Sequence, residues 1–249
     1  MNLEPRIDII ASALADPSRA RMACILMDGR AFTSKELAHS TGITPQTASF
    51  HLQILEERGI ITAIRSGRNK YHRITNAAIA SVIETLAGMA PADHLKQPAH
   101  SLSIRKASHQ MRIARSCYDH IAGRLGVMLA ESLCRRNLMH IENGSYQISD
   151  ESVQFFSSIG IDASALTKKK RSVVRCCLDW TERRFHMAGS LASALMDQSF
   201  ENDWLVRQTN SRALSISPLG YEVFEHHFSL SKRAIEEPSE TEIGAPLSA

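Results

Sequence analysis

The chain has 249 residues, 43% apolar and 22% charged, with a formal net charge of +3. That balance fits a soluble globular protein long enough for two domains, and the charge is too small to argue nucleic-acid binding by itself. No apolar run approaches the ~20 residues of a membrane span, and the start, Met1-Asn2-Leu3-Glu4-Pro5-Arg6, lacks a secretion signal. Five cysteines, an odd count, then point to reduced thiols and a cytoplasmic protein.

In chain order, Ile7 to Leu14 reads as a first helix with Ile7, Ile10 and Leu14 on one side. Asp16 caps a second helix entered through Pro17 and running to about Met27. Its Arg19 and Arg21 suit a solvated face or phosphate contact, and Cys24 reads as a small buried hydrophobe. Ser34 to Ser40 is a short helix ended by Gly42. Thr44 then caps a helix that begins at Pro45 and carries an apolar stripe of Ala48, Leu52 and Leu55. The opposite face is expected to present Thr44, Gln46, Thr47, Ser49, Phe50 and His51. Gln can bond adenine through two atoms, Ser and Thr can bond several base edges, and Phe can touch a thymine methyl. A short helix, a tight turn and a capped second helix make a helix-turn-helix, with the second helix reading DNA. Behind it, Ile60 to Ile64 and Tyr71 to Ile74 flank the turn Ser66-Gly67-Arg68-Asn69, a hairpin signal. Arg65, Arg68, Lys70 and Arg73 with no acid among them suit phosphate or minor-groove contact, as a wing would.

Four segments carry a family likeness: Leu14-Ala15-Asp16-Pro17-Ser18-Arg19-Ala20-Arg21, Lys35-Glu36-Leu37-Ala38, Thr47 to Leu55, and Gly59-Ile60-Ile61. With the element order, they make residues 7 to 90 resemble the ArsR family of bacterial winged-helix repressors. The resemblance implies sequence-specific binding to double-stranded DNA by a homodimer that represses until an effector releases it. It also implies that the first helix and the one after the wing build the dimer interface. The family's metal sensors carry a Cys-x-Cys box before the recognition helix, where this chain has Thr33 and Lys35. Others place Asp and His ligands on the helix after the wing, where Ala77 to Met89 offers only Glu84. The likeness therefore implies DNA binding but does not imply a metal at either familiar position, and no cofactor is expected.

After the wing, Ile79, Val82, Ile83 and Leu86 recur at helical spacing, a stripe that must cover core or pair with a second copy. Residues 91–103 hold Pro91 and Pro98 without periodicity and read as a linker closing a 1–90 DNA-binding domain. The remainder is duplicated. Arg115-Ser116-Cys117-Tyr118-Asp119 is echoed by Arg175-Cys176-Cys177-Leu178-Asp179, and His120-Ile121-Ala122-Gly123 by His186-Met187-Ala188-Gly189. Each copy, 104–167 and 168–230, continues as helix, hairpin and helix, a winged-helix-like outline. The basic run Lys168 to Arg171 joins them. Residues 231–249 read as a disordered acidic tail. The expected fold is mainly α with some β: an N-terminal winged helix-turn-helix followed by two winged-helix-like repeats.

Cys117, Asp119 and His120 in one copy, and Cys177, Asp179 and His186 in the other, are the candidate effector residues. Both aspartates stand where helix N-caps belong. His120 follows Asp119 directly whereas His186 lies seven residues after Asp179, so the two triads are not expected to share one local geometry. Structural packing, thiol sensing helped by Arg175, Arg183 and Arg184, a metal, and an organic ligand all remain open, and the effector is unknown. No phosphate loop, nucleophile elbow or His-Glu-x-x-His motif appears, which favours a non-enzyme. The alternatives are a thiol- or metal-dependent enzyme and a protein-interaction module using its winged helices without DNA.

Overall fold

In a computed structural model the chain divides into two compact units, Met1–Ile83 with Thr209–Ser211, and Glu84–Gln208 with Arg212–Ala249. The structure describes residues 4–91, 102–142, 145–167, 171–209 and 211–237, with only the backbone of 102–106 and 167.

The first unit follows the expected order. Helix α1 (Ile7–Leu14) precedes α2 (Pro17–Leu26), whose Asp16 cap accepts the Arg19 N–H at 2.9 Å. Strand β1 (Phe32–Thr33) leads into α3 (Ser34–Thr41). Thr33 closes a reciprocal capping box with Glu36, satisfying two otherwise orphan N–H groups. Gly42 ends α3 at φ +72°, a left-handed conformation in which a Cβ is strained. It releases the chain into α4 (Pro45–Glu57), capped by Thr44. The wing is β2 (Ile61–Ser66) and β3 (Asn69–Ile74), antiparallel around Gly67 and Arg68. The two-residue β1 extends it, giving the order β1-β3-β2; so short a strand has no sequence signal of its own. The core gathers Met22, Leu26, Leu37, Leu52, Leu55, Ile60, Ile61 and Ile74, all at most 2% exposed. Each contributes about 1.5–3 kcal/mol by leaving water. Helix α5 (Ala77–Met89) follows the wing, and the division between units falls within it.

The second unit holds both repeats on one hydrophobic core. Helix α6 (Leu102–Ile113) starts inside the expected linker; residues 92–101 of that linker lie outside the described residues. The first repeat runs β4 (Arg115–Cys117), β5 (His120–Ala122), α7 (Arg124–Arg135), β6 (Met139–Glu142), β7 (Ser145–Ile148) and α8 (Asp150–Ser158). After the short α9 (Ala163–Thr167), the second runs β8 (Arg175–Leu178), β9 (Phe185–Ala188), α10 (Ser190–Glu201), β10 (Leu205–Arg207), β11 (Leu214–Ile216) and α11 (Pro218–Phe228). Helix α7 packs against β9 and α10 against β5, so each repeat's helix lies on the other's hairpin.

Helix, hairpin and helix stand where the duplication placed them, but each copy opens with a further hairpin over the Cys/Asp/His segment. Asp119 and Asp179 are therefore not N-caps. Those positions belong to Gly123 and Gly189, at φ +80° and +104°. A Cβ there would sit 2.7 Å from the Arg112 carbonyl oxygen and 2.6 Å from that of Val173. The shared His-x-Ala-Gly sequence is thus a strand ending in an obligatory glycine. The expected tail also begins too early. Helix α12 (Lys232–Glu236), capped by Ser231, buries Ile235 completely; residues 238–249 lie outside the described residues, as do Lys168 to Lys170. Among the described residues no helix is long and apolar enough to cross a membrane.

Candidate functional site

Helix α4 buries Ala48, Leu52 and Leu55 and exposes Thr44, Gln46, Thr47, Ser49 and Phe50. Thr44 accepts the Thr47 N–H at 3.2 Å, and its hydroxyl lies 2.9 Å from that of Thr47. The Ser49 hydroxyl donates to the Pro45 carbonyl at 2.9 Å. These bonds fix the first turn while Gln46 and Phe50 are exposed, Phe50 at 61% with its ring tilted against that of His51. An exposed aromatic on a capped helix start suits contact with a base.

His51 does not belong to this exposed face. It is buried, accepts from Arg19 Nη1 at 3.4 Å and lies 3.9 Å from Asp16. Arg19 in turn donates to the Ala13 carbonyl at 2.5 Å and the Ser12 carbonyl at 3.0 Å, so it anchors α1 and has no guanidinium edge left for phosphate. Position 51 follows Ala48 by three residues, close enough to the apolar stripe to be covered by α2.

The wing's four cations are all exposed, but they do not form one surface. Arg65 pairs across the strands with Lys70, sharing a face with the inward His72 and Ile74. Arg73, opposite Thr62, stands on the other face, because neighbours along a strand alternate sides. Arg68 occupies the turn. Lys70 also reaches Glu56 of α4 at 2.7 Å, an acid that the isolated wing sequence did not include. Beneath them, burial and the nearby Lys70 charge push the His72 imidazole below its ordinary pKa.

The second unit gathers the repeated Cys and His residues from four strands. Register pairs Cys117 with His120 and Cys177 with His186, side by side across their hairpins. The two turns differ in length, but pairing absorbs the difference; the two copies do share one local geometry. His120 Nε2 and His186 Nε2 are 3.1 Å apart, with the rings stacked at 5.0 Å. One donor atom from each of the four side chains lies within 4.8 Å of all the others, and all four residues are buried. The hydrogen bond with Cys177 and burial push the Cys117 thiol well up. Burial would lower His120, but Cys117 and Asp119 facing it outweigh that and raise it to about 9.

The two aspartates stand behind the imidazoles. Asp119 Oδ1 is 3.2 Å from His120 Nδ1, and its other oxygen accepts from Arg171 at 2.6 Å. Burial opposes its charge, yet His120 and Arg171 hold its carboxyl at about 2. Asp179 Oδ2 lies 3.7 Å from His186 Nδ1 and accepts from Arg115 Nη2 at 2.8 Å and the Gly123 N–H at 2.7 Å. Its Oδ1 accepts from the Thr181 N–H and hydroxyl and the Glu182 N–H, at 2.9, 2.6 and 3.0 Å. Burial disfavours this carboxylate, but Arg115, His186 and those bonds hold it far below its usual range.

Arg115 was not singled out from sequence, although it opens the first copy as Arg175 opens the second. It is fully buried, donates to Thr181 Oγ1 at 3.0 Å, stacks on Trp180 at 4.5 Å and lies 3.9 Å from Glu84. Two of the three arginines expected around Cys177 are occupied elsewhere. Arg184 pairs with Glu131 at 2.9 Å, and Arg183 donates to the Gly88 carbonyl at 2.9 Å. Burial also raises the Cys176 thiol. Cys117 and Cys176 are therefore thiols at neutral pH, not the activated thiolates a redox sensor needs.

A helix-turn-helix domain family model matches residues 14–63. The uncharacterized HTH-type transcriptional regulator YdfF of Bacillus subtilis is 40% identical over 228 residues, spanning 92% of this chain and 99% of that protein. The HTH-type transcriptional regulator CmtR of Mycobacterium tuberculosis is 30% identical over 89 residues, 36% of this chain and 75% of that protein. A solved structure from Mycobacterium bovis, a homodimeric winged helix-turn-helix DNA-binding domain of a possible ArsR-family regulator, is 26% identical. It covers 41% of this chain and 100% of its own, with a TM-score of 0.33. The likeness to YdfF spans both repeats as well as the reading helix and wing, and the chain belongs to the ArsR family of winged helix-turn-helix transcriptional regulators, which bind DNA.

Proposed function

We propose that the protein is a homodimeric repressor that reads its operator through Gln46, Thr47, Ser49 and Phe50. In this reading Arg65, Arg68 and Lys70 hold the flanking backbone, and the duplicated unit receives the effector. The observation that carries it is the exposed start of α4, capped by Thr44, with exposed Gln46 and Phe50 beside a basic wing. Helix α5 supports the dimer. Val82 and Leu86 are 44% and 49% exposed and Met89 lies further along the same stripe, whereas Ile83 faces the core. Two copies joined there would set two reading helices for successive major grooves of a near-palindromic site. The two copies in the second unit, helix-hairpin-helix each behind an extra hairpin, read as diverged winged helices. Thr33 serves as a helix cap and Lys35 is exposed, so the N-terminal unit keeps no ligand at the family's Cys-x-Cys positions. That leaves the second unit for effector binding.

Binding to the DNA upstream of the protein's own gene tests the reading. Gln46→Ala relaxes preference at one base pair of the half-site, costing about 1–3 kcal/mol there. Arg68→Ala weakens all sequences alike and reduces the salt slope by about one. If both variants keep wild-type affinity and selectivity, α4 and the wing are not the DNA interface.

A further inference from the structure

Four strands bring Cys117, His120, Cys177 and His186 to one buried point, one Cys–His pair from each repeat. A tetrahedral zinc ion with bonds of about 2.0–2.1 Å to nitrogen and about 2.3 Å to sulfur needs ligand atoms roughly 3.3–3.8 Å apart. The two Nε2 atoms stand at 3.1 Å and all four donors fall within 4.8 Å, so small side-chain adjustments close the shell. We propose that these four residues form a structural Cys2His2 site for a zinc-class divalent cation, which clasps the two repeats of the C-terminal unit together.

Three further features fit this ligand class. Asp119 and Asp179 lie on the Nδ1 side of the two imidazoles, and the two Nε2 atoms face each other at the shared centre. All four ligands are at most 7% exposed, so the shell is closed to water, as in structural and not catalytic zinc sites. Two thiolates and two neutral imidazoles around a divalent cation sum to zero charge, which suits burial. Loading releases the protons that the four ligands hold to solvent. Sulfur and nitrogen ligands without an inner carboxylate select a borderline ion over magnesium or calcium. The cysteines are 60 positions apart along the chain, so the ion removes the freedom of a long loop much as a cross-link does.

The site differs from both familiar positions of the family and does not depend on the operator reading, since metal content is measured without DNA. The full chain, purified under reducing conditions, is expected to carry one zinc per chain by elemental analysis. Chelator-stripped wild type titrated with cobalt(II) is expected to show the visible bands of a tetrahedral site and a thiolate-to-metal charge-transfer band, and to gain thermal stability. Cys117→Ser and Cys177→Ser should each lose tight binding; the wild-type cobalt spectrum needs neither variant to fold. The proposal is overturned by zinc-free protein whose cobalt complex lacks the thiolate band. It is also overturned by undiminished zinc binding in the double Cys→Ser variant, or by a Cys117–Cys177 disulfide in reduced preparations. Operator binding measured on the same samples separates the two proposals, because a failed gel shift leaves the metal result standing.

Discussion

Asp179→Ala offers a severe test of how the C-terminal unit is held. The carboxylate is fully buried and accepts five hydrogen bonds, from Arg115, Gly123, Thr181 (twice) and Glu182. Truncation leaves the Arg115 guanidinium buried with Glu84 as its nearest remaining acid, at 3.9 Å. Breaking a buried ion pair from one side costs about 3–5 kcal/mol. Each N–H then left without an acceptor adds about 1–3 kcal/mol, though not additively. The total reaches at least ~5 kcal/mol, comparable with the whole stability of an ordinary domain. Asp179→Asn keeps the volume and one acceptor oxygen but loses the charge, and should cost about half as much. The two tryptophans, Trp180 and Trp204, both lie in this unit, so their fluorescence in a urea titration reports on it alone. Asp179→Ala should show no folded baseline, whereas Asp179→Asn should keep a cooperative but shifted transition. Adding Arg115→Met to Asp179→Ala should recover part of the loss by removing the uncompensated charge. A wild-type midpoint for Asp179→Ala would refute the assignment of Asp179 as the hub joining the two repeats.

Two further predictions concern the first unit and α5. His51→Ala should weaken amide protection across α1, α2 and α4 by about 1–3 kcal/mol, through the loss of a buried side chain and its bond to Arg19, without altering base preference. A changed preference at one base with unchanged protection would return His51 to the reading face. Val82→Glu should fold, because Val82 is exposed, yet sediment as a monomer with weakened operator binding. Ile83→Glu should instead destabilise the chain, since Ile83 is only 5% exposed, and a dimeric Val82→Glu protein would place the interface elsewhere.

Short-range chemistry is what the amino-acid sequence by itself determined. Asp16-Pro17, Thr44-Pro45 and Gly42 mark helix ends because caps and turns are satisfied within a few residues, and the helix-turn-helix, wing and α5 follow from them. The duplication likewise placed the later helices and hairpins. Which face a residue joins was legible only where the apolar stripe was clear: His51 lies at its edge, and only the packing of α2 over it decided that it is buried. The strand β1 and the Lys70–Glu56 pair were hidden because each depends on a partner distant in sequence. The same limit explains the Cys/His centre. Counting from Asp119 and Asp179 made the two copies look different, since one turn is short and the other long. Strand pairing measures across the ladder and not along the chain, so it set both histidines opposite their cysteines. Only the packing of one repeat against the other then brought the two pairs to a single point.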